Sequence, residues 1–449
     1  MLTRPASSYT SATADQPLLW RTIGEDLEAT VARWGDREAL VDCASRRRWT
    51  YSELDVEVDE LALGLLAGGI GRGDRVGIWS PGCAERVLLQ YATAKIGAVL
   101  VDVSPAYRTH ELVHVVNQSG MRLLVAATRY RSSDYAAMLA QARPDCPQLE
   151  EVVFLGEPGS DTADGSPSWR RLLEVGGLTD HRDLVLRMAE LSPDDPINIQ
   201  CTSGTTGPPK AVTLSHHNIL NNGYFVGELV GYTEQDRIAV PFQTCSAMVT
   251  GHLAATSHGA AIVVPSPTFD PAATLRAVQE ERCTSLHGVS TMFVAVLYLP
   301  DFEQYDLSSL RTGIIAGSPC PAEVISRVVD EMHMAEVAIC YGMTETSPVS
   351  TMTRRDDDLG RRTRTVGRTM PHLESKVVDP ATGLTVPRGT AGELCTRGHT
   401  VMLGYWNQPE KTAEVVDAAR WMHTGDLAVI DEDGYVAISG RVEGLPPAH

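Results

Sequence analysis

Nine consecutive residues, Thr202-Ser203-Gly204-Thr205-Thr206-Gly207-Pro208-Pro209-Lys210, have the make-up of a phosphate cradle. Gly204 and Gly207 let backbone N–H groups approach an anion closely. The hydroxyls of Thr202, Ser203, Thr205 and Thr206 add donors, and Lys210 supplies a positive charge. This is not the Walker loop, whose lysine directly follows its second glycine and opens a helix, so a P-loop hydrolase is excluded. Here Pro208 and Pro209 separate Gly207 from Lys210. Residues 197–201 (INIQC) and 211–215 (AVTLS) alternate as strands do, so the loop is expected to join two strands.

Elements that could position such a loop follow a strand, helix, strand rhythm. A β-branched run at Val76–Trp79 leads through the turn Ser80-Pro81-Gly82 to a helical stretch at Ala84–Ile96, then past Gly97 to an apolar run at Ala98–Val103. The rhythm returns over 121–155 and 259–297, where Asp270-Pro271 reads as a helix N-cap followed by proline in the first turn. Residues 156–168 are a loop by composition. From about 361 the text changes to short strands and frequent turns, with no repeat of fixed period. The fold class is therefore α/β with parallel layering, followed by a smaller β-rich subdomain.

Composition narrows the function. The 449 residues are 43% apolar, enough for a sizeable core. Asp plus Glu (57) exceed Lys plus Arg (38), and the net charge of −19 disfavours nucleic acid and anionic lipid surfaces as partners. Nine cysteines stand singly, with no CxxC pair or metal-ligand spacing, as reduced thiols in a cytoplasmic chain do. Residues 1–19 are Ser/Thr/Ala-rich without an apolar core, and are expected to be a disordered tail, not a secretory signal. The apolar stretch 226–264 is interrupted by Glu228, Asp236, Arg237, Pro241 and His252, so no transmembrane segment is expected.

Further motifs follow the loop in a fixed order: Tyr341-Gly342-Met343-Thr344-Glu345, Gly392-Glu393-Leu394, Gly404-Tyr405-Trp406-Asn407, Trp421-Met422-His423-Thr424-Gly425-Asp426 and Gly440-Arg441. With Thr202–Lys210 they resemble the adenylate-forming (AMP-binding) superfamily of acyl-CoA synthetases, luciferases and peptide-synthetase adenylation domains, over about residues 20–441. The resemblance leans toward bacterial medium- or long-chain fatty-acyl-CoA synthetases. It implies the large N-terminal domain of that fold, with α/β subdomains at about 20–190 and 191–360 and a β-rich subdomain at about 361–441.

The implied chemistry is activation of a carboxylate by ATP to an acyl-adenylate and pyrophosphate, then transfer to coenzyme A. The resemblance places Thr202, Ser203, Gly204, Thr205, Thr206, Gly207 and Lys210 on the β and γ phosphates, Thr344 on the α-phosphate, and Glu345 on Mg2+. Lys210, Thr344 and Glu345 are the catalytic candidates. Gly317, Ser318 and Pro319 would line the adenine with Tyr341, followed by Gly342 and Met343, while Asp426 and Arg441 would hold the ribose. Thr244, His287 and Gly317 are the acyl-pocket candidates, with a fatty acid or other small carboxylic acid as substrate. Self-association into a homodimer is left open.

Three departures from the family pattern stand out. Thr244 in Pro241-Phe242-Gln243-Thr244 occupies the place of a histidine; it can donate a hydrogen bond but does not titrate. His287 stands where an aromatic residue is more usual. Residues 442–449 (VEGLPPAH) do not resemble the hinge and mobile C-terminal domain that follow in the family, so impaired thioester formation is expected. The alternatives are a nucleotide- or acyl-binding protein of this fold without turnover, and a ligase for an aryl or other acid.

Overall fold

The computed structural model describes residues 6–156, 168–202, 209–241 and 246–442. The strand, helix, strand unit read from the sequence forms as Arg75–Trp79, Ala84–Ile96 and Val99–Asp102, with the two strands parallel. Gly97 ends the helix in the left-handed conformation (φ 71°), where a side chain would be strained, and so turns the chain back into the next strand. Asp270 caps the helix Pro271–Glu280 through the N–H of Ala273, with proline in the first turn as its sequence indicates.

Three main sheets result. The first has seven strands, in the order Gly404–Tyr405, Lys210–Ser215, Pro196–Thr202, Val99–Asp102, Arg75–Trp79, Leu123–Ala127 and Glu151–Leu155. The second has nine, running from Arg368–Thr369 through Val349–Met352, Glu336–Gly342, Thr312–Ala316, Ser285–Val289, Arg237–Ala239, Ala261–Val264 and Glu38–Asp42 to Arg47–Thr50. The third has five antiparallel strands, Tyr9–Ser11, Leu373–Val378, Gly392–Gly398, Met422–Ile430 and Val436–Arg441. Central strands of the first two sheets are parallel and near-continuously apolar, because helices cover both faces.

Between those sheets lie helices that carry apolar side chains inward. Ala84–Ile96 is buried at every position except Glu85, and His216–Val230 is anchored by a reciprocal Ser215–Asn218 capping box directly after the strand Lys210–Ser215. Lys95 is buried in this layer because Asp55 and Asp59 both accept from its ammonium group. Among the described residues, no helix is long and apolar enough to cross a membrane.

Two boundaries differ from the sequence expectation. Residues 6–19 are not a disordered tail: Tyr9–Ser11 pairs antiparallel with Leu373–Val378, the Tyr9 hydroxyl donates to Glu374 over 2.6 Å, and Ser8 is buried. Backbone pairing holds this polar segment, and backbone pairing leaves little trace in composition. Nor do the subdomains divide at 190 and 360, since Glu38–Asp42 and Arg47–Thr50 join the second sheet while Pro196–Thr202, Lys210–Ser215 and Gly404–Tyr405 join the first. Parallel strands need long crossovers, and here the crossovers pass between sheets.

Candidate active site

In open α/β sheets, ligands bind beyond the carboxyl ends of the strands. The parallel strands Ser285–Val289, Thr312–Ala316 and Glu336–Gly342 end on one edge, and Ser290, Gly317 and Met343 follow them there. Gly317 adopts φ 84°, turning the chain so that Gly317, Ser318 and Pro319 lie exposed. The Ser290 hydroxyl lies 3.2 Å from both the Ser318 and the Pro319 carbonyl oxygens and steadies that turn.

The phosphate-cradle loop does join two strands. Pro196–Thr202 and Lys210–Ser215 pair antiparallel, with Thr202 opposite Lys210. Ser203, Gly204, Thr205, Thr206 and Gly207 lie outside the described residues, as does Thr244. The Lys210 ammonium sits 5.0 Å from the centroid of the Tyr405 ring, a cation–π contact made available because Gly404–Tyr405 pairs with the Lys210 strand.

Glu345 lies in the single turn Thr344–Thr346 and is only 6% exposed. Tyr405 donates its phenolic hydrogen to Glu345 Oε1 over 2.9 Å, and Met402 N–H donates to the Glu345 carbonyl over 2.9 Å. Among the described residues no Lys, Arg or His forms an ion pair with Glu345. A buried carboxylate with an uncompensated charge and a second oxygen to spare fits a hard divalent cation such as Mg2+. Gly342 allows the turn: a Cβ there would lie 1.8 Å from the Pro348 carbonyl oxygen.

On the other side of the same strand end, Tyr341 donates to Asp426 Oδ2 over 2.6 Å. Burial, and then the Asp426 carboxylate, push the Tyr341 phenol well above its usual range, so it remains a donor. Arg441, opposite Asp426 in the cross-strand register, meets Oδ1 at 3.0 Å. Each carboxylate oxygen has two acceptor sites, so Asp426 retains capacity for ligand hydroxyls. The ring of Tyr341 is partly exposed beside Gly342.

Behind Asp426 lies a network that the sequence motifs do not disclose. Glu393 accepts from His423 Nδ1 over 2.8 Å and from the Gly425 N–H over 3.1 Å, and Cys395 Sγ lies 3.5 Å from the same His423 nitrogen. The Glu393 hydrogen bond outweighs burial and raises the His423 pKa, whereas burial raises the Cys395 thiol far above its usual value. Glu393, Cys395 and His423 bring oxygen, sulfur and nitrogen atoms within 4.8 Å of one another. They satisfy each other as a neutral thiol and a hydrogen-bonded His–Glu pair, and the pair fixes Gly425 (φ 69°) next to Asp426.

His287 is 1% exposed within its strand; its Nε2 meets the Tyr232 hydroxyl at 2.7 Å, and that hydroxyl also meets Ser285. Burial lowers its pKa to about 3, leaving a neutral imidazole with Nδ1 free of protein partners among the described residues. His252, on the π-helical segment Ala247–Leu253, is likewise buried, held to about 3 by desolvation, and paired through Nδ1 with Gln90 Oε1 at 2.9 Å. π-Turns mark many functional sites, and an apolar run gives no sequence signal for one.

Fold and site define a nucleotide-binding α/β enzyme, and the comparisons with known proteins give its family. Residues 27–406 match the AMP-binding enzyme family, and the chain belongs to it. It is 44% identical over 440 residues to YngI of Bacillus subtilis (strain 168), covering 95% of this chain and 80% of that one. To the mitochondrial medium-chain acyl-CoA ligase ACSF2 of Danio rerio it is 41% identical over 455 residues, 98% of this chain and 75% of that. The crystal structure of the anthranilate CoA ligase AuaEII in complex with anthranoyl-AMP superposes with a TM-score of 0.84 at 25% identity, over 95% of this chain and 79% of that one.

Proposed function

We propose that this chain activates a medium-chain fatty acid as its acyl-adenylate, the first half of an acyl-CoA ligase reaction. One observation supports this best: the strand end Tyr341–Glu345 carries a buried carboxylate that forms no ion pair among the described residues and, through Tyr341, hydrogen-bonds the largely buried carboxylate Asp426. Such a segment serves a nucleotide whose phosphates need a cation and whose sugar needs an acceptor. The 41% identity to a medium-chain acyl-CoA ligase supports the substrate class.

In this reading Asp426 accepts from the ribose hydroxyls, with Arg441 beside the sugar, and Gly317, Ser318 and Pro319 with Tyr341 border the adenine. Lys210 and the cradle that precedes it hold the β and γ phosphates, and Thr344 donates to the α-phosphate. Glu345 would hold Mg2+, which supplies positive charge against the phosphate oxygens. A carboxylate oxygen of the substrate forms a bond to the α-phosphorus as the bond to the pyrophosphate oxygen breaks, and pyrophosphate leaves with the electron pair. In the second step the thiol of coenzyme A gives up its proton and its sulfur bonds to the acyl carbon as the bond to the adenylate oxygen breaks, and AMP leaves with that electron pair. His287 and His252, neutral and buried, act as walls of the acyl side and not as bases.

The test is to incubate the protein with ATP, Mg2+ and fatty acids of increasing length, with and without coenzyme A, and identify products by mass spectrometry. Acyl-adenylate, AMP and pyrophosphate are expected, greatest for medium chains. ADP as the nucleotide product, or acyl-adenylate from aryl acids alone, would refute the reading.

A further inference from the structure

The segment Met402–Trp406 contacts both Lys210, assigned to the phosphates, and Glu345, assigned to Mg2+. Its Leu403 and Trp406 N–H groups donate to the Thr213 and Ala211 carbonyls of the Lys210 strand, over 3.0 and 2.7 Å. Its Met402 N–H donates to the Glu345 carbonyl over 2.9 Å. Between these anchors Tyr405, 5% exposed, offers its ring face to Lys210 and its hydroxyl to Glu345 Oε1. The Thr412 hydroxyl accepts from the Tyr405 N–H over 2.9 Å, so the ring has a fixed base.

Opposite charges assigned to one ligand face a hazard when that ligand is absent. An ammonium and a carboxylate in a partly desolvated site attract each other, and a direct ion pair would occupy both before ATP arrives. Each must then be separated again at the expense of binding. A tyrosine avoids this, since its π face attracts the cation while its hydroxyl satisfies one carboxylate oxygen and leaves the other oriented.

We propose that Tyr405 is a positioning residue that holds Lys210 and Glu345 apart, so that Glu345 stays available to Mg2+ and Lys210 to phosphate. This rests on the magnesium assignment of Glu345 made above. Tyr405→Phe keeps the ring beneath Lys210 and removes the hydroxyl. Tyr405→Leu removes both.

The measurement is ATP affinity by titration calorimetry on the intact chain, without fatty acid or coenzyme A, in EDTA and across a series of Mg2+ concentrations. The wild type is expected to gain affinity with Mg2+. Tyr405→Phe should lose about 3- to 10-fold of that gain, the range set by one hydrogen bond, with affinity in EDTA unchanged. Tyr405→Leu should also weaken binding in EDTA, and circular dichroism confirms that both variants fold. A full magnesium gain in Tyr405→Phe, with the gain lost in Glu345→Gln, overturns the role of Tyr405. A full gain in Glu345→Gln overturns the magnesium assignment, and the role of Tyr405 with it.

Discussion

Tyr341 donates its hydroxyl to Asp426 over 2.6 Å and so ties the end of a central strand in the nine-stranded sheet to the five-stranded β-rich sheet. The bond spans 85 residues of sequence and joins the motif expected at the base to the motif expected at the sugar. The contact joins the two sheets where the proposed adenosine site lies.

Tyr341→Phe should therefore weaken ATP binding about 5-fold, corresponding to about 1 kcal/mol for a lost hydrogen bond, while leaving the ring in place. Titration calorimetry measures this directly. Unchanged affinity would mean that Asp426 needs no support from Tyr341.

Asp426→Asn preserves shape but removes the charge that meets Arg441 at 3.0 Å and would meet the ribose. Hydrogen bonds to a charged group are worth about 1.5–3 kcal/mol, so a loss of roughly 10- to 100-fold in ATP affinity is expected. The loss should be smaller for 2′,3′-dideoxy-ATP, which has no hydroxyls for Asp426 to accept from. Equal losses for both nucleotides would contradict the ribose assignment.

The His423–Glu393 pair predicts a pH dependence of stability. Its folded-state pKa is raised, first by the Glu393 hydrogen bond, above the ordinary value of about 6.5. The stabilisation is thus fully present below about pH 6.5 and is lost as the pH rises through the folded value. The melting temperature of the wild type should exceed that of Glu393→Gln most at mildly acidic pH, and the gap should narrow above neutrality. A gap that widens with pH would reverse the sign and refute the pairing.

Gly342→Ala places a Cβ 1.8 Å from the Pro348 carbonyl oxygen, and backbone cannot yield as a flexible side chain can. The turn bearing Thr344 and Glu345 must shift. A drop of several degrees in melting temperature is expected, about 1–3 kcal/mol by analogy with overpacked sites, together with loss of the magnesium gain in ATP affinity. A variant with wild-type melting and magnesium response would show that the turn tolerates displacement.

Local chemistry was legible in the sequence where a few neighbouring residues decide it. The strands on either side of the phosphate cradle, the helix Ala84–Ile96 and the Asp270 cap all follow from spacing within one element. What spacing does not encode is which strand lies beside which. The pairing of Tyr9–Ser11 with Leu373–Val378 and the passage of Pro196–Thr202 into the first sheet depend on registers set hundreds of residues apart or by crossovers. Tyr405 shows the same limit: Gly404-Tyr405-Trp406-Asn407 was visible as a motif, but its contacts with Lys210 and Glu345 arise only when two sheets meet. His287 was visible too, and burial against Tyr232, not its residue type, decides that it stays neutral.

The most direct measurement of the central claim is exchange of labelled pyrophosphate into ATP by the purified chain. The account predicts exchange that requires both Mg2+ and a medium-chain fatty acid, and that falls sharply in Glu345→Gln and Lys210→Ala. Exchange that proceeds equally without any carboxylate, or its absence from a folded protein shown by calorimetry to bind ATP, would contradict it.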